Sequence, residues 1–311
     1  MPDVVMKIGT RGSPLALAQA HMVQSLLANA HQCDPQCFEI VIIKTSGDMI
    51  QDRPLGEVGG KGLFTREIDN AMLNGEIDIA VHSSKDLPTL MPDGISVPGY
   101  LPREDVRDAF ICAIATSLKD LPHGAVLGTA SLRRQAQALR LRPDLKIVLL
   151  RGNVETRLRK AESGEIHATL LAYAGLKRLG LHNRATSLLN TNDFLPAIGQ
   201  GAIGLTLRSE DRASQARVAP ILDAATGYAL AAERAFLNIL DGSCKTPIAG
   251  LAELVGDRLT FRGMVLRTDG SATYQITREG AKTDGAMIGT QAAEQILQQM
   301  PADVLPHRTP H

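Results

Sequence analysis

The sequence predicts an α/β protein: two α/β domains of similar size, followed by a smaller α+β domain. Three features carry this expectation. Strand-like and helix-like stretches alternate through the first two thirds of the chain, the order that builds a largely parallel sheet. Helix-opening residues stand where those stretches meet. Beyond residue 217 the alternation gives way to a long helix, a hairpin rhythm and a closing helix. The boundaries expected are 1–100 with 197–217 for the first domain, 101–196 for the second and 218–311 for the third.

In the first domain VVMKIGT reads as a strand, and SPLALAQAHMVQSLLANA as an amphipathic helix opened by Ser13 and Pro14. FEIVIIKT is a second strand, FTREIDNAMLNGE a second helix and IDIAVHS a third strand. DGISVPGYLPRED carries the chain onward. In the second domain AFICAI and AVLGTA are strands, LRRQAQALRLRP is a helix and KIVLLRG a strand. NVETRLRKAESGE is a helix, and IHATLLAYAGLKRLG a strand running into a short helix. After FLPAIGQGAIGLTLR comes the helix ATGYALAAERAFLNIL. The next stretch, IAGLAELVGDRLTFRGMVLRTDGSATYQITREG, turns at Gly-Asp and Asp-Gly, and MIGTQAAEQILQQM closes as a helix.

The composition is that of an ordinary globular protein, with 44% hydrophobic and 21% charged residues in 311. No apolar run reaches the roughly 18 residues of a membrane span, and the N-terminus does not read as a signal peptide. A cytoplasmic protein with reduced thiols is expected, with no membrane partner. Cys33, Cys37, Cys112 and Cys244 make no disulfide framework, and the Cys33–Cys37 pair has no second ligand pair beside it, so no metal site is expected. A net charge of zero argues against nucleic acid as a partner. Charge is nonetheless uneven: residues 128–180 hold eleven Lys/Arg against four acids, a segment suited to meeting anions.

Two glycine-rich stretches fail as nucleotide motifs. GEVGGKG (56–62) has three residues where a phosphate loop needs four, and Gly62 where a Ser or Thr would bind magnesium. It reads as a glycine-rich loop from which Lys61 reaches a ligand. GQGAIG (199–204) is followed by strand-like LTLR rather than a helix, so its glycines serve a chain crossing between domains.

Other stretches place polar groups where α/β folds bind ligands. IDIAVHSSKDLP ends a strand in Lys85 and Asp86, either a salt-bridged turn or a pair facing a cleft, with Asp86 as the acid/base or charge-stabilising group. GTASLRRQ leads through Thr129 and Ser131 into a helix whose first turn holds Arg133 and Arg134, where the helix dipole disfavours cations. That inversion points to an anion. Arg151 ends a strand and Arg157 opens the next helix, while Arg11 and Ser13 occupy a similar strand-to-helix turn. Guanidinium groups so placed bind carboxylates or phosphates in bidentate fashion. Cys244, in LDGSCKTPIAG, sits among loop-forming residues, with Lys245 beside it to favour the thiolate. An inert cysteine and a nucleophile both remain open on these residues alone, and no histidine is marked as its base.

Taken together, TRGSPLAL, TSGD, GGKGLF, DIAVHSSKDLP, REDVRDAF, GTASLRRQ, LRGNVETRL, AGLKRLG, LPAIGQGA and GSCKTPIAG resemble the porphobilinogen deaminase family from the first strand to the C-terminal domain. The resemblance implies two domains like those of periplasmic binding proteins and a third that carries a cofactor cysteine. It implies a dipyrromethane cofactor attached by a thioether to Cys244. Four porphobilinogen molecules then add head to tail, with loss of ammonia, and water releases hydroxymethylbilane. Asp86 matches the family's aspartate that holds pyrrole N–H groups and stabilises the cationic azafulvene. Lys85, Thr129, Ser131, Arg133, Arg134, Arg151 and Arg157 match cofactor-side positions. Arg11, Ser13, Lys61, Arg178 and Gln200 match substrate-side ones, and a monomer is implied. Ala130 stands where many relatives carry a serine, which puts one carboxylate contact in doubt. A two-domain binding protein is the rival reading; it needs neither Cys244 nor Asp86.

Overall fold

A computed structural model describes residues 4–46, 65–240 and 246–305. Lys61 and Cys244 lie outside the described residues. The chain forms two compact units. One joins the segments before residue 105 to 201–227; the other takes 105–200 and the chain from 228 onward.

The first unit is built on β1 (Met6–Arg11), β2 (Phe38–Ile43), β3 (Ile79–Ser83), β4 (Ile95–Tyr100) and β10 (Ile203–Arg208). Their order is β2-β1-β3-β10-β4, with β1 parallel to β2 and β3, and β10 antiparallel to β3 and β4. Helix α1 (Pro14–His31) starts at Ser13, whose Oγ accepts the Ala16 N–H at 3.3 Å, with Pro14 supplying the preset φ of a first helical residue. Its buried positions Ala20, Val23 and Leu27 share one face and pack with Met6, Ile8, Ile79 and Leu205. Each of these Val, Leu, Ile and Met side chains contributes about 1.5–3 kcal/mol on burial. Helix α2 (Arg66–Leu73) lays Ile68 and Met72 over Ile77 and Ile95.

Ile95–Tyr100, expected only as a connection, is the edge strand β4. Pro98 lies within it, and an edge strand tolerates the ladder bond that proline cannot make.

The second sheet uses β5 (Asp108–Cys112), β6 (Val126–Gly128), β7 (Lys146–Val148), β8 (Ala168–Ala172) and the short β9 (Ser187–Leu188). Its order is β7-β6-β8-β5-β9, with β6 parallel to β7 and β8 and β5 antiparallel to β8 and β9. This is the first sheet's pattern repeated: three parallel strands with the middle one first in sequence, then one reversed strand, then an edge. The reversed strands, β10 and β5, are the ones through which the chain enters each unit from the other. Helices α3 (Leu132–Leu141), α4 (Val154–Glu162) and α5 (Tyr173–Arg178) connect this sheet; α6 (Arg212–Val218) follows β10 in the first unit, capped by Asp211.

Helix α7 (Ala224–Ile239) leads to β11 (Ile248–Val255), β12 (Arg258–Leu266) and β13 (Thr273–Ala281), an antiparallel meander closed by α8 (Gly285–Gln299). The Gly256-Asp257 pair turns β11 into β12, and Asp269-Gly270 lies in the turn before β13. Phe236 of α7 meets Phe261 of β12 at 4.9 Å between ring centroids. On β11, Ala249 and Leu251 pack against Ala136 of α3, tying this meander to the second sheet's helices. The fold is therefore the expected one: two α/β sheets and a smaller three-stranded sheet with helices.

Candidate active site

Parallel strands bring functional groups to their carboxyl ends. In the first unit β1 ends at Arg11 and β3 at Ser83, side by side through the β1–β3 pairing. Beyond Ser83 the chain makes a single 3-10 turn, Ser84–Asp86, fixed by the Ser84 N–H on Ala202 O at 3.0 Å and by the buried Leu87. Lys85 and Asp86 are exposed on that turn, and Ser84 is buried.

Arg11, Ser13 and Asp86 line one cavity of about 60 Å³, together with Gln19, His82 and Ser83. A guanidinium, a helix-capping hydroxyl and a carboxylate thus share a small polar space. Gln19 Nε2 donates to Ser83 Oγ at 2.9 Å. Burial pushes the His82 imidazole down to about 4, with the Arg11 charge acting the same way, so it stays neutral at neutral pH. The sequence reading missed Gln19 and His82 as part of this space. Gln19 had a signal: it is a polar residue on the otherwise apolar buried face of α1.

In the second unit, β6 ends at Gly128, and Thr129 and Ser131 lead into α3. Ser131 Oγ accepts the Arg134 N–H at 3.4 Å, and Thr129 Oγ1 accepts the Ser131 N–H at 3.1 Å. The carboxyl end of β7 lies alongside: Thr129 N–H donates to Val148 O at 2.9 Å. Arg151 follows, half-buried, and Asn153 caps α4 through the Thr156 N–H at 2.9 Å. Arg157 Nε donates to Gly152 O at 2.8 Å, which folds its side chain back onto the turn. Arg178, half-buried, is the last residue of α5.

Arg133 and Arg134 occupy a setting that the sequence did not reveal. Both are buried, and the anion beside them is the chain's own Asp108. Arg133 Nη2 lies 2.8 Å from Asp108 Oδ2, and Arg134 Nη2 lies 2.7 Å from Oδ1. Burial alone would raise the Asp108 carboxyl. The two guanidiniums outweigh it and hold the group well below the usual carboxylate range. Gln200, expected near substrate, is buried here as well: its Nε2 donates to Asp108 Oδ1 at 3.0 Å and Val106 O at 2.8 Å.

Among the described residues, no group of three or more His, Cys, Asp or Glu is placed to hold a metal ion, and no helix is long and apolar enough to cross a membrane.

Comparison with known proteins shows the family of the chain. Residues 6–216 match the family model described as porphobilinogen deaminase, dipyromethane cofactor binding domain, and residues 228–298 the model of the porphobilinogen deaminase C-terminal domain. A porphobilinogen deaminase of Nitrobacter hamburgensis is 59% identical over 297 residues, covering 96% of this chain and 94% of that protein. One of Paracoccus denitrificans is 54% identical over 302 residues, covering 97% and 96%. Among solved structures, a nutrient binding protein from Burkholderia cenocepacia bound to methionine aligns with a TM-score of 0.42 and 14% identity over 69% of this chain and 90% of that one. A periplasmic substrate-binding protein of an ABC transporter from Coxiella burnetii aligns with a TM-score of 0.44 and 15% identity over 70% and 91%. With both family models matched in order and relatives this similar along nearly its whole length, the chain belongs to the porphobilinogen deaminase family.

Proposed function

We propose that this chain joins four porphobilinogen molecules head to tail, with release of ammonia, into hydroxymethylbilane, on a dipyrromethane primer held by a thioether to Cys244. The observation that carries the proposal is the cavity that Arg11, Ser13 and Asp86 share. It sets a fixed positive charge and a carboxylate around one small space, which suits a pyrrole that bears carboxylate arms and an N–H donor.

The residues present fit the cofactor. A dipyrromethane offers carboxylates and pyrrole N–H groups, and needs cations, hydroxyls and at least one carboxylate in return. Asp86 supplies the carboxylate. Ser84 Oγ, in the same turn, is buried without a hydrogen-bond partner among the described residues, and so is Arg133 Nε. Each leaves a donor or acceptor that a bound group can satisfy. Lys85, Thr129, Ser131, Arg133, Arg134, Arg151 and Arg157 are the proposed cofactor-side residues. Arg11, Ser13, Lys61, Arg178 and Gln200 are the proposed substrate-side ones, Gln200 acting from within the Asp108 cluster. When bound, the dipyrromethane supplies the nucleophilic pyrrole carbon on which the chain begins.

The protein's own groups do the remaining work. Arg11 pairs with a substrate carboxylate, aided by the N–H groups at the start of α1. The Asp86 carboxylate accepts the substrate's pyrrole N–H. Its negative charge stabilises the positive charge that spreads over that ring as ammonia departs. His82, neutral at neutral pH, adds no second positive charge to oppose that step. The proposal extends to a cytoplasmic monomer with residues 218–311 as a separate domain that carries Cys244. The test is turnover: the purified protein, given porphobilinogen, releases ammonia and a linear tetrapyrrole in a ratio of four to one. Porphobilinogen left unchanged by folded protein sinks the reading.

A further inference from the structure

The ion cluster at the start of α3 draws on several separate stretches of chain. Asp108 opens β5 with its side chain fully enclosed, and both of its oxygens are engaged by guanidiniums. Arg134 adds a second bond, Nε to Oδ1 at 3.2 Å. Gln200 braces the same oxygen. The turn before Gln200 is fixed in its own right by the buried Glu233, whose Oε2 accepts the Gly199 N–H at 2.7 Å while Oε1 accepts the Ala252 N–H at 2.9 Å. Arg133 Nη1 donates to Leu195 O at 2.7 Å.

Among the described residues the two guanidiniums share Asp108 as their one ion-pair partner, so these pairs leave one positive charge unmatched in a buried place. Burying ion pairs seldom adds net stability over apolar packing, and a surplus charge makes the balance worse. The surplus also sits in the first turn of a helix that has no acidic residue there, where the dipole opposes it further. A cluster serving stability alone has no need of the second arginine. One that serves an arriving anion does, and it needs Asp108 to keep the two guanidiniums from repelling each other out of place.

We infer that Asp108 is a positioning residue: it holds Arg133 and Arg134 in one orientation at the start of α3, and Gln200 locks the Asp108 carboxylate, so that the surplus charge meets the carboxylates of the cofactor. This rests on the function proposed above.

The test uses full-length protein as purified, with folding checked by circular dichroism. Denaturing mass spectrometry measures the fraction carrying the dipyrromethane adduct and the rate at which the remainder gains it from added porphobilinogen. In Asp108→Asn that rate falls at least about tenfold, as expected when charged groups lose their alignment. Asp108→Glu, which keeps the charge but displaces it, falls between Asp108→Asn and wild type. If folded Asp108→Asn carries and gains the adduct as wild type does, with only its melting temperature lowered, Asp108 is structural and the inference is overturned. If Asp108→Asn does not fold, folded Asp108→Glu decides, because it keeps the carboxylate and only moves it. A rate below that of wild type supports positioning, and a wild-type rate overturns it. Wild-type protein that neither carries nor gains the adduct removes the cofactor reading itself, an outcome visible before any variant is compared.

Discussion

His82 Nε2 lies 3.1 Å from Thr206 Oγ1, a buried hydrogen bond across the neighbouring antiparallel strands β3 and β10. Because burial pushes this imidazole down to about 4, the fold resists its protonation. An unfolded chain takes up a proton at this histidine below about pH 6.5. The folded chain refuses it until about pH 4, so stability falls as pH drops through that interval and the effect levels off below it. The full difference is about 3 kcal/mol. Denaturant unfolding at a series of pH values should show this slope, and His82→Asn should remove most of it. An unchanged slope in the variant contradicts the assignment. Asp108, with its carboxyl held down in the fold, adds a further loss only below about pH 3.9.

Asp86 is exposed on a turn anchored by its neighbours, so replacing it leaves the fold intact. Asp86→Asn is expected to change stability by less than about 0.5 kcal/mol. It should lower the rate of tetrapyrrole formation by about a hundredfold or more, the usual cost of removing a group that stabilises developing charge. Thermal melting and a steady-state assay on the same preparation separate the two effects. A variant with near-normal rate removes Asp86 from the chemistry.

Arg142 acts as a bracket for the loop before β6. Its guanidinium donates to the carbonyls of Lys119 at 2.9 Å and Leu121 at 2.8 Å and pairs with Asp144 at 2.7 Å. Arg142→Ala leaves several acceptors without a partner and should cost about 2–3 kcal/mol. Arg142→Lys should recover less than half, because an ammonium cannot span that fork. Equal stability of Arg142→Lys and wild type contradicts this.

Gly289 allows α8 to lie directly on α7. A Cβ built there collides with Ala232 O, which is backbone and cannot swing aside. Gly289→Ala should therefore destabilise the C-terminal helices by about 1–3 kcal/mol, despite alanine's better helix propensity. Calorimetry reads this directly, and a stabilised variant contradicts the close contact.

Local rules made much of this fold legible. Ser13-Pro14 before an apolar face placed the start of α1, and NVETRLRKAESGE placed α4. The glycines of GQGAIG serve a turn, as expected: Gly199 and Gly201 have φ of 71° and 88° just before β10. Ile95–Tyr100 escaped notice because Pro98 argues against a strand unless its edge position is known, and edge position depends on the whole sheet. The arginines show the same limit. Their place in the first turn of α3 signalled an anion, yet the first anion they meet is Asp108, more than twenty residues earlier and brought beside them only when β5 and α3 fold together. Pairings across that distance are set by topology and leave no mark in the spacing. Gln19 and His82 were visible as residue types, but only the cavity they line reveals their shared role.

Intact mass under denaturing conditions, with Cys244→Ser alongside, shows whether Cys244 anchors a dipyrromethane primer. Wild-type protein should be heavier than its sequence by two condensed pyrrole units, and the serine variant should have its bare mass. Wild-type protein that keeps its bare sequence mass even after incubation with porphobilinogen contradicts the account and favours a protein that binds its ligand reversibly.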